Sequence, residues 1–201
     1  MRTQGALTAL VMLAVTLTGC TDTTPAPPPP TLGATTSPTP SPSPSPTPSP
    51  TPTGFDASVE PVAPPGLDGP PSKEAASEVA KYFLAHFPYI YATGDFSVWD
   101  EMSGDPCKFC KNARSKAHDI ALANQHGVGG ELEFRESFAE DYRPDEYVSV
   151  VRYLEHPSST LNSQDEIVED FPGVRYVQAE MLVAWRDGRW RIDSVTTDQL
   201  S

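Results

Sequence analysis

From Thr21 to Pro71 the chain carries 18 of its 23 prolines and no lysine or arginine. At the centre of this stretch, from Ser37 to Thr53, serine or threonine alternates strictly with proline. Each proline fixes φ and lacks an amide hydrogen, so neither helix nor sheet can run through it. The pattern predicts extended polyproline II, at about 3.1 Å per residue. Fifty such residues reach on the order of 150 Å. A single core cannot absorb a rod of that length. The chain must therefore divide into a leader at 1–19, a linker without regular structure at 20–71 and one domain at 72–201.

The leader opens with Arg2 and no acid to offset it, and Ala6 to Leu17 is apolar apart from Thr8 and Thr16. A basic start and an apolar run of about twelve residues fit a signal peptide. A membrane-spanning helix needs about twenty. The run closes on Leu17-Thr18-Gly19-Cys20, which resembles the lipobox of bacterial lipoproteins: aliphatic, small, small, cysteine. The resemblance implies a diacylglyceryl group on the Cys20 thiol and cleavage just before it. The domain would then be lipid-anchored on the extracytoplasmic face of the cell membrane. An ordinary secretory signal with an incidental cysteine is the alternative. The tether favours the anchor, because a freely secreted domain needs no spacer.

Charge limits the partners. The chain has 14 basic and 27 acidic residues and a formal net charge of −13. Such a chain is repelled by nucleic acid and by anionic headgroups. Nucleic acid is excluded as a partner, and membrane contact falls to the lipid.

The remaining 130 or so residues are of ordinary single-domain size. Ser72 reads as an N-cap, and Ala76, Val79, Phe83, Phe87 and Ile90 then recur at helical spacing. Pro88 is expected to kink or end that helix near Phe87, and Gly94 to stop it. Asp95 reads as the cap of a short second helix, Phe96 to Met102, with Trp99 on its buried side. Asp105-Pro106 signals a third helix, Pro106 to His126, ended by Gly127, Gly129 and Gly130. The period then changes to two. Strands are expected over Glu131 to Phe138, with Leu132, Phe134 and Phe138 sharing it, then over Tyr147 to Leu154, Val174 to Trp185 and Trp190 to Thr196. Asp187-Gly188 marks a hairpin between the last two. Residues 156–172 read as a long acidic surface loop. Helices followed by antiparallel strands predict an α+β fold, with N-terminal helices packed on one four-stranded sheet.

Two segments carry a further likeness. Tyr91-Ala92-Thr93-Gly94-Asp95-Phe96-Ser97-Val98-Trp99 and the hairpin Val183 to Ile192 resemble the nuclear transport factor 2-like superfamily. That resemblance implies a curved sheet wrapped around helices as a cone. With its lipobox, Pro/Thr linker, Gly-Asp joint and Cys-x-x-Cys, the whole chain also resembles an uncharacterised actinobacterial lipoprotein family, domain of unknown function family 6318. That family supplies no activity to carry over.

Cys107-Lys108-Phe109-Cys110 is the most specific motif of the domain. An even cysteine pair outside the cytoplasm is expected to form a disulfide. A redox-active pair, with a thiolate favoured at a helix N-terminus, is one alternative. A metal site is another, but His86, His118, His126 and His156 stand at no ligand-like spacing. No metal and no cofactor are expected. Cone folds often enclose an apolar cavity. Tyr89, Tyr91, Asp95, Trp99, Tyr176 and Trp185 are the candidates to line one here, against a plainer reading of core aromatics and a helix cap. Lys108, Lys111 and Arg114 form one basic stripe. The expected role is non-catalytic binding of a small apolar molecule, a wall component or an envelope protein. A small enzyme using the cavity is the runner-up, and a thiol-redox protein comes third.

Overall fold

Seven strands and three α-helices account for most of residues 54–201, which are the residues described by the computed structural model of the chain. The leader 1–19, Cys20 and linker residues 20–53 lie outside the described residues. A 3-10 turn at Pro65–Leu67 comes first. Three helices follow: α1 (Lys73–Thr93), α2 (Ser97–Met102) and α3 (Lys108–Leu122). The strands are β1 (His126–Gly129), β2 (Leu132–Arg143), β3 (Glu146–Glu155), β4 (Ser158–Leu161), β5 (Ile167–Phe171), β6 (Arg175–Arg186) and β7 (Arg189–Gln199).

The architecture is mixed α+β with antiparallel sheets, but there are two sheets where one was expected. The larger has the order β2-β3-β6-β7 and holds the four expected strands. The smaller has the order β1-β4-β5. It is built from the expected loop 156–172 and from residues expected to end the third helix.

Ser72 caps α1 as its sequence implies, with its Oγ accepting the Ala75 amide at 3.1 Å. The helix does not break at Pro88. It continues to Thr93, and Gly94, at φ 68°, closes it by donating its amide to the Ile90 carbonyl. Burial explains the continuity. Phe83, Leu84 and Ile90 are all 1 % exposed or less, so packing on both sides of the proline outweighs the one hydrogen bond it cannot donate.

The third helix is shorter than expected at both ends. It starts after Cys107, whose Sγ accepts the Cys110 amide. It ends at Leu122, and Asn124, two residues on, closes it in place of the glycines. Asn124 takes φ 55° and its amide donates to Ala121, while the Gln125 amide reaches the Ile120 carbonyl. Those paired bonds are a Schellman motif with asparagine in the left-handed position.

In the large sheet, odd-numbered residues of β3 and β6 face the helices. Val151, Ala179, Met181 and Val183 are fully buried there. A register shift in β2 between Phe134 and Glu136 reverses that strand's alternation. Phe138, expected with Leu132 and Phe134, is consequently turned outward and 41 % exposed. The two-residue turn Asp187-Gly188 has positive φ at both positions (52° and 73°), as a hairpin of the β6–β7 kind requires.

The last part of the expected linker is folded. Ala57 is buried, and Leu67 packs against the core. The Trp190 indole N–H donates to the Gly66 carbonyl at 3.1 Å. A Cβ on Gly66 would stand 3.0 Å from that of Ala75. The expectation of no regular structure up to Pro71 fails at the 3-10 turn Pro65–Leu67, and the prolines do not prevent the strap from lying in van der Waals contact with α1.

Candidate functional site

Two cavities open side by side between the helices and the sheets, with volumes of about 300 Å³ and 270 Å³. They share Phe87, Glu155 and Arg175 as a common wall. They are two adjoining lobes of one cleft region, and these three residues stand at the waist between them.

The first lobe is floored by Leu84, Phe87, Phe109, Leu132, Tyr153 and Val177. Its sheet side follows from strand parity. Tyr153 lies opposite Val177, and Glu155 opposite Arg175, in the β3–β6 register, so these four side chains share one face. Phe87 and Phe109 stack with centroids 5.9 Å apart. Thr197, Asp198 and Gln199 of β7 form the outer rim. The second lobe lies between α1, α3 and the small sheet, and Pro88, Tyr91, Ile120 and Phe171 supply its apolar surface. Gly127 can approach α1 because it has no side chain: a Cβ there would meet Tyr91 Cβ at 3.0 Å.

At the waist, Arg175 Nη2 donates to Glu155 Oε1 at 2.7 Å. That is the only hydrogen bond of the Arg175 side chain among the described residues. Lys116 lines the second lobe and makes no ion pair among the described residues. Two phenols also line the cleft. Burial raises Tyr153 well above the ordinary phenol value of 10.0. Burial, with Glu169 adding to it, raises Tyr91 in the same way. Both are therefore protonated donors at neutral pH. The Tyr153 hydroxyl makes no hydrogen bond among the described residues.

Of the six residues expected to line a pocket, only Tyr91 lines either of these two lobes. Tyr89 donates its hydroxyl to Asp95 Oδ2 at 3.4 Å. Asp95 Oδ1 accepts the Ser97 amide at 2.9 Å and the Ser97 hydroxyl at 2.6 Å. Those bonds hold the Asp95 carboxyl below its ordinary 3.8; they form a local turn one residue before Phe96, which takes the N-cap position of α2 in place of the expected Asp95. Trp99 belongs to the core: it stacks on Phe83 at 4.2 Å, and its indole N–H donates to the Cys110 carbonyl. Tyr176 has the opposite parity to Arg175 and Val177 and turns to the outer face. Trp185 stands at the far end of β6 against Trp190, with centroids 5.2 Å apart.

Cys107 and Cys110 form a disulfide. Both are 1 % exposed or less, which leaves an external thiol no path to either sulfur. Among the described residues no cluster of three His, Cys, Asp or Glu side chains could hold a metal ion. The basic stripe is interrupted, since Arg114 pairs with Asp100 at 2.8 Å and covers the Phe96 ring.

Glu155, Arg175, Tyr153 and Lys116 were absent from the expected site. Sequence offers a signal for Tyr153 and Glu155, because they continue the inward parity of Val151. It offers none for Arg175, which reaches Glu155 only through the pairing of strands twenty residues apart.

A family model described as "Family of unknown function (DUF6318)" matches residues 59–196. No curated protein matches the chain. Among solved structures, the chain is similar to the intermembrane space region of chloroplast protein ARC6. That likeness has 9 % identity, covers 66 % of this chain and 98 % of that one, and has a TM-score of 0.49. An uncharacterized protein with a cystatin-like fold from Caulobacter vibrioides has 9 % identity, 63 % and 90 % coverage and a TM-score of 0.41. Aln2 from a Streptomyces species has 14 % identity, 64 % and 93 % coverage and the same TM-score, 0.41.

Proposed function

The chain belongs to the DUF6318 family, and from that premise we propose that it is a cell-envelope lipoprotein whose domain binds a small molecule without transforming it. Its lipid on Cys20 inserts in the membrane, the proline-rich segment spaces the domain from the bilayer, and the domain is a cone-like relative of the nuclear transport factor 2-like fold. The family's actinobacterial affiliation belongs to the same proposal. The observation that carries the reading is the two-lobed cleft. It pairs apolar floors of ligand size with a few polar groups at the waist, which is the composition of a small-molecule site. Binding is favoured over catalysis because the waist offers an Arg–Glu pair and protonated phenols but no base aligned on a nucleophile. Burial of both cysteines weighs against the thiol-redox alternative.

An amide NMR titration of the full chain carrying Cys20→Ser, with an apolar dye as probe, tests the binding reading. Resonances of Phe87, Tyr153 and Val177 should move, and those of outward-facing Val150 and Ser194 should stay. Shifts spread evenly over the domain, or none at saturating dye, would refute a site in the cleft. The anchor is tested separately by fractionating cells that express Cys20→Ser, which should lose membrane retention. Retention equal to that of the parent chain would refute lipidation at that residue.

A further inference from the structure

Resting on the reading of the cleft as a ligand site, we propose that its ligand is an amphipathic monocarboxylate, with an apolar body on the aromatic floor and its head held by Arg175 at the waist, with Lys116 of the adjoining lobe as a second cation. The donors there outnumber the bonds they make. Arg175 spends one nitrogen on Glu155, and its planar guanidinium can hold a second carboxylate through its remaining N–H groups. Lys116 lines the adjoining lobe with no partner among the described residues. Two cations thus line the adjoining lobes, Arg175 where they meet and Lys116 in the second, in a chain with 14 basic and 27 acidic residues.

Glu155 tells what the head should be. Its side chain is 19 % exposed, and it stands 2.7 Å from Arg175. A carboxylate of the protein thus already occupies some of the space that a ligand carboxylate would take. The Tyr153 hydroxyl, unpaired on the floor of the first lobe, is a further donor for a ligand oxygen. Glu169 and Asp198 line the rims and repel additional negative charge, which favours a single carboxylate over a phosphate. A cationic head would meet Arg175 at the waist and Lys116 in the adjoining lobe. The lobes, about 300 Å³ and 270 Å³, accommodate a body of medium length.

The test is calorimetric titration of the full chain carrying Cys20→Ser with decanoate, decan-1-ol and decyltrimethylammonium, all below their micellar concentrations and at low salt. Decanoate should bind once per chain and about tenfold more tightly than decanol, the ratio expected of one charged hydrogen-bonded contact. Arg175→Gln should abolish that preference, and Lys116→Gln, on an exposed helix face, should reduce it. Glu155→Gln removes the competitor and should tighten decanoate while leaving decanol unchanged. Arg152→Gln, on the outer face of the sheet and bonded to Gln178 and Glu136, should change neither. Decanol or the ammonium binding as tightly as decanoate would overturn the carboxylate assignment and leave the cleft reading standing. A decanoate affinity indifferent to Arg175→Gln, Lys116→Gln and Glu155→Gln alike would do the same. Failure of all three probes to bind, with no amide shifts at Phe87 or Val177, would overturn both.

Discussion

Replacing Gly104 with alanine should destabilise the domain far more than an alanine on a loop ordinarily does. Gly104 donates its amide to the Ile192 carbonyl at 2.8 Å, which draws the loop before α3 against β7. An added Cβ would lie 2.1 Å from Asp193 Oδ1 and 3.0 Å from the Ile192 carbonyl oxygen, where ordinary contact begins at 3.4 Å. Asp193 would have to retreat by more than an ångström, and it has little freedom to do so. It is 5 % exposed, and its Oδ2 sits 2.7 Å from Arg186 Nη2. Overpacking of this kind costs about 1–3 kcal/mol. Loosening the Arg186 contact adds less, because that arginine is half exposed and also holds Glu146. A total of about 3 kcal/mol corresponds to a fall in Tm of about 6–12 °C for a domain of this size. Thermal unfolding by circular dichroism reads it directly. Gly69→Ala is the control, since nothing there comes closer than 3.9 Å, and its effect should stay within about 0.5 kcal/mol. In the double variant Gly104→Ala/Asp193→Ala the clash loses its main partner, so the cycle should show a coupling of about 1 kcal/mol or more. A Gly104→Ala chain as stable as its parent, or a cycle with no coupling, would refute the close approach to Asp193 as the reason for glycine at this position.

Three further outcomes are expected. His86 is 1 % exposed, donates Nδ1–H to the Tyr82 carbonyl and leaves Nε2 without a partner, and burial lowers its pKa below the ordinary 6.5. Because the unfolded chain takes up that proton first, stability should be full above pH 6.5 and decline as pH falls toward the lower folded value. His86→Leu should flatten denaturant midpoints across that window, and an unchanged slope would refute the assignment. Cys107→Ala/Cys110→Ala removes a short loop closure worth about 2 kcal/mol, which urea unfolding should register, while the native chain should resist dithiothreitol until it unfolds. A chain beginning at Ser72 should melt several degrees below one beginning at Gly54, because it loses the Gly66–Trp190 hydrogen bond, worth about 1 kcal/mol, and the burial of Ala57 and Leu67. Equal melting temperatures would place the strap outside the folded unit.

The features legible in the sequence were those whose signals are local. The period-two runs and Asp187-Gly188 located the four long strands, and Ser72 and Gly94 located both ends of α1. Where two local signals competed, the more familiar one misled. Gly127, Gly129 and Gly130 are stronger breakers by composition than Asn124, yet Asn124 ends α3 because its left-handed conformation closes the Schellman bonds. Pro88 lost to burial of the residues around it. The small sheet was hidden for a different reason. Every residue of β5 is exposed, so no alternation of apolar and polar residues marks it, and its partner β4 is four residues long. The site was the least legible feature. Tyr89, Asp95 and Trp99 stand out as residue types and are consumed by a local turn and a core. Arg175 and Glu155 are ordinary surface types that come together only when β3 and β6 pair.

The strap at 54–71 also decides how the domain answers a pull. Tension entering at Gly54 arrives at inserted side chains and a single indole hydrogen bond, which yield in succession; a ladder of strand bonds loaded in shear would instead give way together. Under the anchoring proposed above, the strap would act as a mechanical fuse between Gly54 and the sheet. Each residue released would add up to about 3.3–3.6 Å of reach before load reached the sheet that walls the cleft.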